Sequence, residues 1–158
     1  MFGFLRRKEN FERPPAPAAV TLEAVAYVRN DVARPRPRGW EGIESTIEFL
    51  PEHELRLHGL DRYSHVIVVF ATDLAAAAPE KPEQMTLASG HVYGVFATRS
   101  QLRPNHLGVS AIQLLGVDGC SVRVRGLDAI DGTPVLDIKP YLPEYDTHPG
   151  ATVPEGTS

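Results

Sequence analysis

The chain has 158 residues, of which 42% are hydrophobic and 23% charged, and a formal net charge of −4 at pH 7. That is the size and composition of one ordinary globular domain. No run approaches the ~20 apolar residues of a membrane helix, and the acidic balance provides no long-range field for nucleic acid. Cys120 is the only cysteine, which excludes an internal disulfide and a cysteine-cluster zinc site and argues against redox chemistry.

The opening Met1-Phe2-Gly3-Phe4-Leu5-Arg6-Arg7-Lys8 places its charges after a short apolar patch and has no secretory h-region, so a cytoplasmic protein is expected. Residues 1–19, with Pro14, Pro15 and Pro17, read as a flexible segment, residues 20–143 as the folded domain, and residues 144–158 as a flexible tail. Val20, Leu22, Ala24, Ala26 and Val28 alternate with polar neighbours, the period-two pattern of a half-buried strand, and Ile43, Ile47 and Phe49 repeat it. Between these strands Arg34, Arg36 and Arg38 are spaced by prolines that hold the segment extended. It reads either as a solvated loop or as a contact strip for phosphate or carboxylate. Residues 51–58 give the best helical stretch, with Pro51 first and Glu52 and Glu54 near the N-terminus.

The continuous apolar run Val66-Ile67-Val68-Val69-Phe70 predicts a central strand covered on both faces. Residues 92–98 form a further strand candidate. Residues 110–117 and 121–125 are joined through Asp118-Gly119, a hairpin signal, and Asp131-Gly132 marks a turn before a strand at 135–138. Many short strands and little helix predict a mainly β fold: a small barrel, closed or nearly closed, with few short helices.

His53 and His58 are five residues apart, not the four that places two ligands on one helical face, and the six histidines offer no defensible ligand set. No metal is expected. The chain also lacks a GxSxG elbow, a Walker loop and a GxGxxG turn. The chemistry concentrates in two stretches. GVFATRSQLRPNHLGVS, residues 94–110, carries Arg99 and Arg103, whose planar forks suit a carboxylate or phosphate, and Asn105, which both donates and accepts. Pairing of these arginines with Asp128, Asp131 or Asp137 is the structural alternative. GLDAIDGTPVLDIKPYLP, residues 126–143, carries Asp137, Lys139 and Tyr141 at alternate positions, so that a strand would direct three proton-active groups to one face. A salt-bridged strand end is the alternative there.

Together these stretches resemble the TsaA-like family, also called YaeB/TrmO, and LHGLDRYSHVIVVF and the Arg/Pro segment appear in the family's order over residues 22–143. The resemblance implies a small β-barrel that binds S-adenosylmethionine, usually as a homodimer, and methylates N6 of threonylcarbamoyl-adenosine beside the tRNA anticodon. It implies cofactor contacts at Pro37, Arg38, Gly39, Asp73, Leu74, Arg99, Val109, Arg125, Gly126, Leu127 and Asp128. Arg103, Asn105 and Lys139 fall to the substrate side, and Asp137, Tyr141, Lys139 and Asn105 are the catalytic candidates, with Asp137 or Tyr141 as proton acceptor. This chain departs from the family at His106, where proline is usual, and at Asp73, where the bacterial tRNA enzyme has histidine. With its last residues soon after Tyr141, it is expected to lack that enzyme's C-terminal domain. Alternatives left open are a methyltransferase acting on another RNA or a small molecule, and a module that binds the cofactor without turnover.

Overall fold

A computed structural model describes residues 13–154 of the chain; residues 1–12 of the expected N-terminal segment and 155–158 of the expected tail lie outside the described residues. The described residues form eight strands: β1 (Ala26–Arg29), β2 (Glu44–Phe49), β3 (His65–Ala71), β4 (Gln84–Thr86), β5 (Val92–Gly94), β6 (Leu107–Asp118), β7 (Ser121–Arg125) and β8 (Pro134–Pro140). Six close into an antiparallel barrel in the order β1-β2-β7-β6-β3-β8, while β4 and β5 form a separate two-stranded hairpin. Closure removes the unpaired edges that an open sheet of these strands would present.

The barrel is narrow, and its filling follows from that. Val28, Val66, Val68, Val122, Val124 and Val135 are fully buried beside Ile47, short branched side chains with restricted rotamers that suit the interior of a six-stranded barrel. One end is plugged by Leu57 and Leu60, buried residues of two 3-10 turns, Pro51–Leu57 and Leu60–Arg62. The opposite end is plugged by Leu127 and Ala129, which follow β7. At this second end β1, β3 and β7 finish and β2, β6 and β8 begin, so four connecting segments gather there: 30–43, 72–75, 98–106 and 126–133.

Several local expectations are corrected. The strand expected from Val20 begins only at Ala26, and Val20 and Leu22 are 75% and 57% exposed. Its partner β2 ends at Phe49, which pairs with Ala26, so the residues before Val25 have no strand to bond. β3 lies between β6 and β8 in the barrel wall, with Val66, Val68 and Phe70 buried inside and Ile67 and Val69 half-buried outside. Barrel closure therefore replaces the expected cover on both faces. Residues 92–98 leave the extended state at Gly94 and turn as a 3-10 helix over Val95–Ala97. The helical stretch after Pro51 is also 3-10, and no side chain caps its first turn. The β6–β7 hairpin turns through Gly119 and Cys120 while Asp118 still pairs with Ser121. Only Gly119 has positive φ, +53°, the requirement at the first position of a type II′ turn. One helical turn, α1, spans Asp73–Ala76, and another, α2, spans Pro143–Asp146 across the boundary between the expected domain and the expected tail.

Candidate functional site

Three adjoining cavities open at the end plugged by Leu127. The first is bounded by Pro35, Arg36, Trp40, Phe70, Asp73 and Leu74 among others, the second by Arg99, Gln101, Arg103 and Gly108, and the third by Trp40, Val109, Arg125 and Gly126. Asp128 borders all three, and Arg99 borders the second and third. Asp128 is turned outward because Leu127 and Ala129 on either side are buried in the barrel end. Its Oδ1 accepts a hydrogen bond from Ser110 Oγ, across from β6.

Each segment around the cavities is fixed by its own polar contacts. Asn30 clamps the 30–43 loop: its side-chain amide donates to Ser45 Oγ and to the Ala129 carbonyl, both at 2.9 Å, and its Oδ1 accepts from Val32 N at 3.0 Å. Further along, Trp40 Nε1 donates to the Arg36 carbonyl at 3.1 Å, and the Arg36 guanidinium lies 4.8 Å from the Trp40 ring centre. The indole is thereby held beside the first and third cavities. In the 98–106 loop, Thr98 Oγ1 donates to Val95 O at 2.8 Å and accepts from Ser100 N at 3.2 Å, the local side-chain turns that favour these residues outside helices.

The two arginines of this loop are held by carbonyls. Arg99 Nη2 donates to Val109 O at 2.8 Å, and Arg103 Nη1 donates to Thr98 O at 3.2 Å and Ser100 O at 3.4 Å. Among the described residues neither forms an ion pair. Asp137 instead pairs with Lys139 at 2.6 Å, and Asp131 accepts from Asn30 N. Arg99 and Arg103 thus border the second cavity without an ion-pair partner, and Asp128 borders it with them.

His106 closes the loop onto the barrel. Its carbonyl accepts from both Thr72 N, at 2.8 Å, and Thr72 Oγ1, at 2.9 Å, and its Nδ1 lies 3.0 Å from Gln101 O, which makes Nδ1 the protonated nitrogen. The backbone stands at φ +49°. Proline is locked near −65°, so the backbone turn that His106 makes is one that a proline at position 106 would forbid. His106 is 7% exposed, and its Nε2 is buried with no partner among the described residues. At the cavity floor Phe70 packs against Gly108, its β6 neighbour; a Cβ there would fall 2.3 Å from the ring.

The residues singled out from sequence fall into three groups. Asp73, Leu74, Arg99, Arg103, Val109, Arg125, Gly126 and Asp128 border the cavities. Arg125 is already engaged by Glu44 at 2.6 Å; the hydrogen bond and charge of Arg125 hold the Glu44 carboxyl below its ordinary value. Leu127 points into the core and offers only its backbone, whereas Pro37, Arg38 and Gly39 are exposed at the tip of the 30–43 loop, with Pro35, Arg36 and Trp40 at the cavity instead. Asn105, Asp137, Lys139 and Tyr141 border none of the three cavities. Tyr141 follows β8, its hydroxyl 2.9 Å from Thr147 Oγ1 and its ring 6.2 Å from that of His65.

Trp40, Phe70, Thr72, Gln101 and Ser110 also border the cavities, and the sequence motifs do not single them out. Trp40, the sole tryptophan and next to a glycine in an Arg/Pro loop, is the one readable signal among them. Ser110 meets Asp128 only through the fold. No cluster of three His, Cys, Asp or Glu side chains suited to a metal occurs among the described residues.

Comparison with known proteins bears on this arrangement directly. The family model described as the tRNA-methyltransferase O N-terminal domain matches residues 25–147. A probable S-adenosyl-L-methionine-binding protein of Pyrococcus abyssi is 40% identical over 66% of this chain and 55% of its own length. The human tRNA (adenine(37)-N6)-methyltransferase is 43% identical over 61% of this chain and 22% of its own. The chain thus spans about half of one curated relative and about a fifth of the other. A crystal structure of TrmO from Pseudomonas aeruginosa superposes with a TM-score of 0.73 at 31% identity, over 90% of this chain and 64% of that one. With the family model covering most of its length and the same barrel in a solved relative, the chain belongs to the tRNA-methyltransferase O N-terminal domain family.

Proposed function

We propose that this protein is an S-adenosylmethionine-dependent methyltransferase, that the cavities around Asp128 hold the cofactor, and that the acceptor is N6 of threonylcarbamoyl-adenosine beside the anticodon of tRNA. The observation that carries the reading is that Asp128 and Arg99 border the same cavities and neither is engaged in an ion pair among the described residues. An unpaired carboxylate and guanidinium at close quarters suit a ligand that brings both complements: a carboxylate for the Arg99 fork, and hydroxyls or an ammonium for Asp128. S-adenosylmethionine carries all of these, and the apolar Phe70, Leu74 and Ile130 with the Trp40 indole offer its adenine a matching wall. The names of the relatives from Pyrococcus abyssi and human point the same way.

When bound, the cofactor supplies an activated methyl group on a positively charged sulfur. The protein's part is then chiefly positional. Displacement of this kind needs an in-line approach, and holding both partners in one geometry supplies most of the advantage. Arg99, pinned to Val109 O, and Asp128, pinned to Ser110, are rigid enough to do so. Arg103, 6.0 Å from the Phe96 ring and on the second cavity, is proposed to contact the acceptor, as are Asn105 and Lys139. Asp137 and Tyr141 remain the proposed proton acceptors, approached by substrate along the outer face of β8, where Asp137 pairs with Lys139. A cytoplasmic homodimer, with residues 20–143 as its folded unit, completes the proposal.

The test is nucleoside mass spectrometry of tRNA from a deletion strain, before and after incubation with purified protein and S-adenosylmethionine, alongside calorimetry of cofactor binding. Appearance of N6-methylated threonylcarbamoyl-adenosine is the expected result. Cofactor binding without any change in tRNA would move the acceptor to another molecule, and absence of cofactor binding would remove the reading altogether.

A further inference from the structure

A second cavity system lies at the other end of the barrel, beneath the plug formed by Leu57 and Leu60. It is bordered by Arg56, His58, Arg62 and Tyr63, with Leu57, Leu60, Ile138 and Pro140 as its apolar floor, and no carboxylate borders it. That stands out in a chain with 20 acidic and 16 basic residues. The local sequence explains the arrangement. Leu57 and Leu60 are 4% and 8% exposed and fix the segment to the barrel, so Arg56, His58 and Arg62 between and beside them are forced outward. Gly59, at φ +83°, reverses the chain between the two 3-10 turns and carries Arg62 and Tyr63 back toward Arg56 and His58. Of the acidic groups of the segment, Glu52, Glu54 and Asp61, none borders the cavity, and Glu54 accepts from Cys120 Sγ at 3.9 Å. On β8, Lys139 is paired with Asp137.

The donors are also largely unengaged. Among the described residues the Arg62 guanidinium, the His58 ring and the Tyr63 hydroxyl make no hydrogen bond or ion pair, and Arg56 makes one, from Nη1 to His53 Nδ1 at 3.1 Å. Two guanidinium forks, an imidazole and a phenol converging without a counter-charge fit a phosphate oxygen set. The site is separated from the Asp128 cavities by the length of β3, about 20 Å for its seven residues. One small ligand does not bridge that distance, whereas a polynucleotide does.

We propose that Arg56, His58, Arg62 and Tyr63 bind backbone phosphate of the RNA substrate, positioning it while the acceptor base occupies the far end of the barrel. This rests on the tRNA reading above. In a protein of net negative charge, RNA affinity must come from such local sites and must fall with salt as counterions are released.

The test uses the full chain and a fluorescein-labelled anticodon stem–loop RNA, with anisotropy titrations from 50 to 200 mM salt. Calorimetry of S-adenosylmethionine binding and steady-state kinetics accompany them. For R56A/R62A the expected result is a salt slope shallower by about 1.4 to 1.8, at about 0.7 to 0.9 for each phosphate no longer neutralised. The KM for RNA should rise at unchanged kcat, with cofactor affinity as in the parent. R62K should recover part of the effect. R13A/R123A, which removes two exposed arginines outside this cavity, controls for net charge. An unchanged slope and KM in R56A/R62A, or an equal change in R13A/R123A, would overturn the proposal while leaving the methyltransferase reading intact. Failure of the parent protein to bind RNA, with cofactor binding preserved, would overturn this site together with the tRNA reading.

Discussion

Substitution of Gly108 by alanine tests the link between barrel packing and the cavities proposed to hold the cofactor. Gly108 on β6 is registered opposite Phe70 on β3, and a Cβ at 108 would lie 2.3 Å from Phe70 Cε2 and 2.4 Å from Cζ, at least 1 Å inside the 3.4–4 Å of ordinary contact. The ring is 3% exposed and enclosed by the core, so it cannot swing freely as the end of a surface side chain would. Overpacking of this kind costs about 1–3 kcal/mol, which for a chain of this length lowers Tm by about 2–4 °C per kcal/mol. Phe70 floors the first and second cavities, so the displaced ring should also weaken S-adenosylmethionine binding. Differential scanning calorimetry and titration calorimetry read the two effects. In a Phe70→Leu background the clash is relieved, and the double-mutant cycle should show strong coupling. Unchanged Tm in Gly108→Ala, or strict additivity with Phe70→Leu, would refute the described packing.

Arg99→Ala should raise the cofactor Kd by roughly 10- to 150-fold, the loss of a charged hydrogen bond worth about 1.5–3 kcal/mol, followed by emission of Trp40, the sole tryptophan; an unaltered Kd would remove Arg99 from the site. Glu44→Gln should flatten the acid limb of the stability curve. Arg125 depresses the folded-state pKa of Glu44 from 4.5, so the stabilisation is complete above that value and disappears as pH falls through the lower folded pKa; Tm measured from pH 6 downward shows whether the variant loses less than the parent. Cys120 should alkylate slowly at neutral pH, because partial burial, reinforced by Glu54, raises its thiol above 9.0. Glu54→Gln should shift the rate profile of iodoacetamide labelling to lower pH, and identical profiles would exclude the Glu54 effect.

The strands were legible where alternation and turn chemistry agreed. β2, β3, the β6–β7 hairpin and the turn before β8 all follow from local pattern, and so does a barrel, since so many short strands with so little helix leave few other architectures. What alternation did not reveal was partner supply. Val20, Leu22 and Ala24 have the rhythm of a strand, yet β2 reaches only as far as Ala26, so the pattern there has no ladder to join. The 3-10 turn at Val95–Ala97 was hidden for the converse reason. Apolar residues continue through it, and only the Thr98 hydroxyl bonding back to Val95 O reveals the change of direction.

The site was legible to the extent that its residues lie near one another in sequence. The motif around Arg99 and the motif around Asp128 each read as polar groups on loops, but nothing local predicts that Ser110 Oγ would meet Asp128, or that Phe70 would require glycine at 108. Both contacts arise because β6 leaves the Arg99 loop, runs beside β3, and returns through β7 to deliver Asp128 to the same barrel end. The alternation of Asp137, Lys139 and Tyr141 gave the opposite outcome. Asp137 and Lys139 pair with each other, and the strand turns them to the outer wall instead of the cavity end. Sequence spacing placed these groups on one face, but only barrel closure decides which faces meet a ligand. If methyl transfer requires a proton acceptor from β8, the acceptor nucleoside must therefore reach round the barrel wall or enter between two copies of the chain. Mixing Asp137→Asn protein with Arg99→Ala protein distinguishes these routes: recovery of activity in the mixture requires a site shared between copies, and two inactive proteins that stay inactive place both groups on one chain.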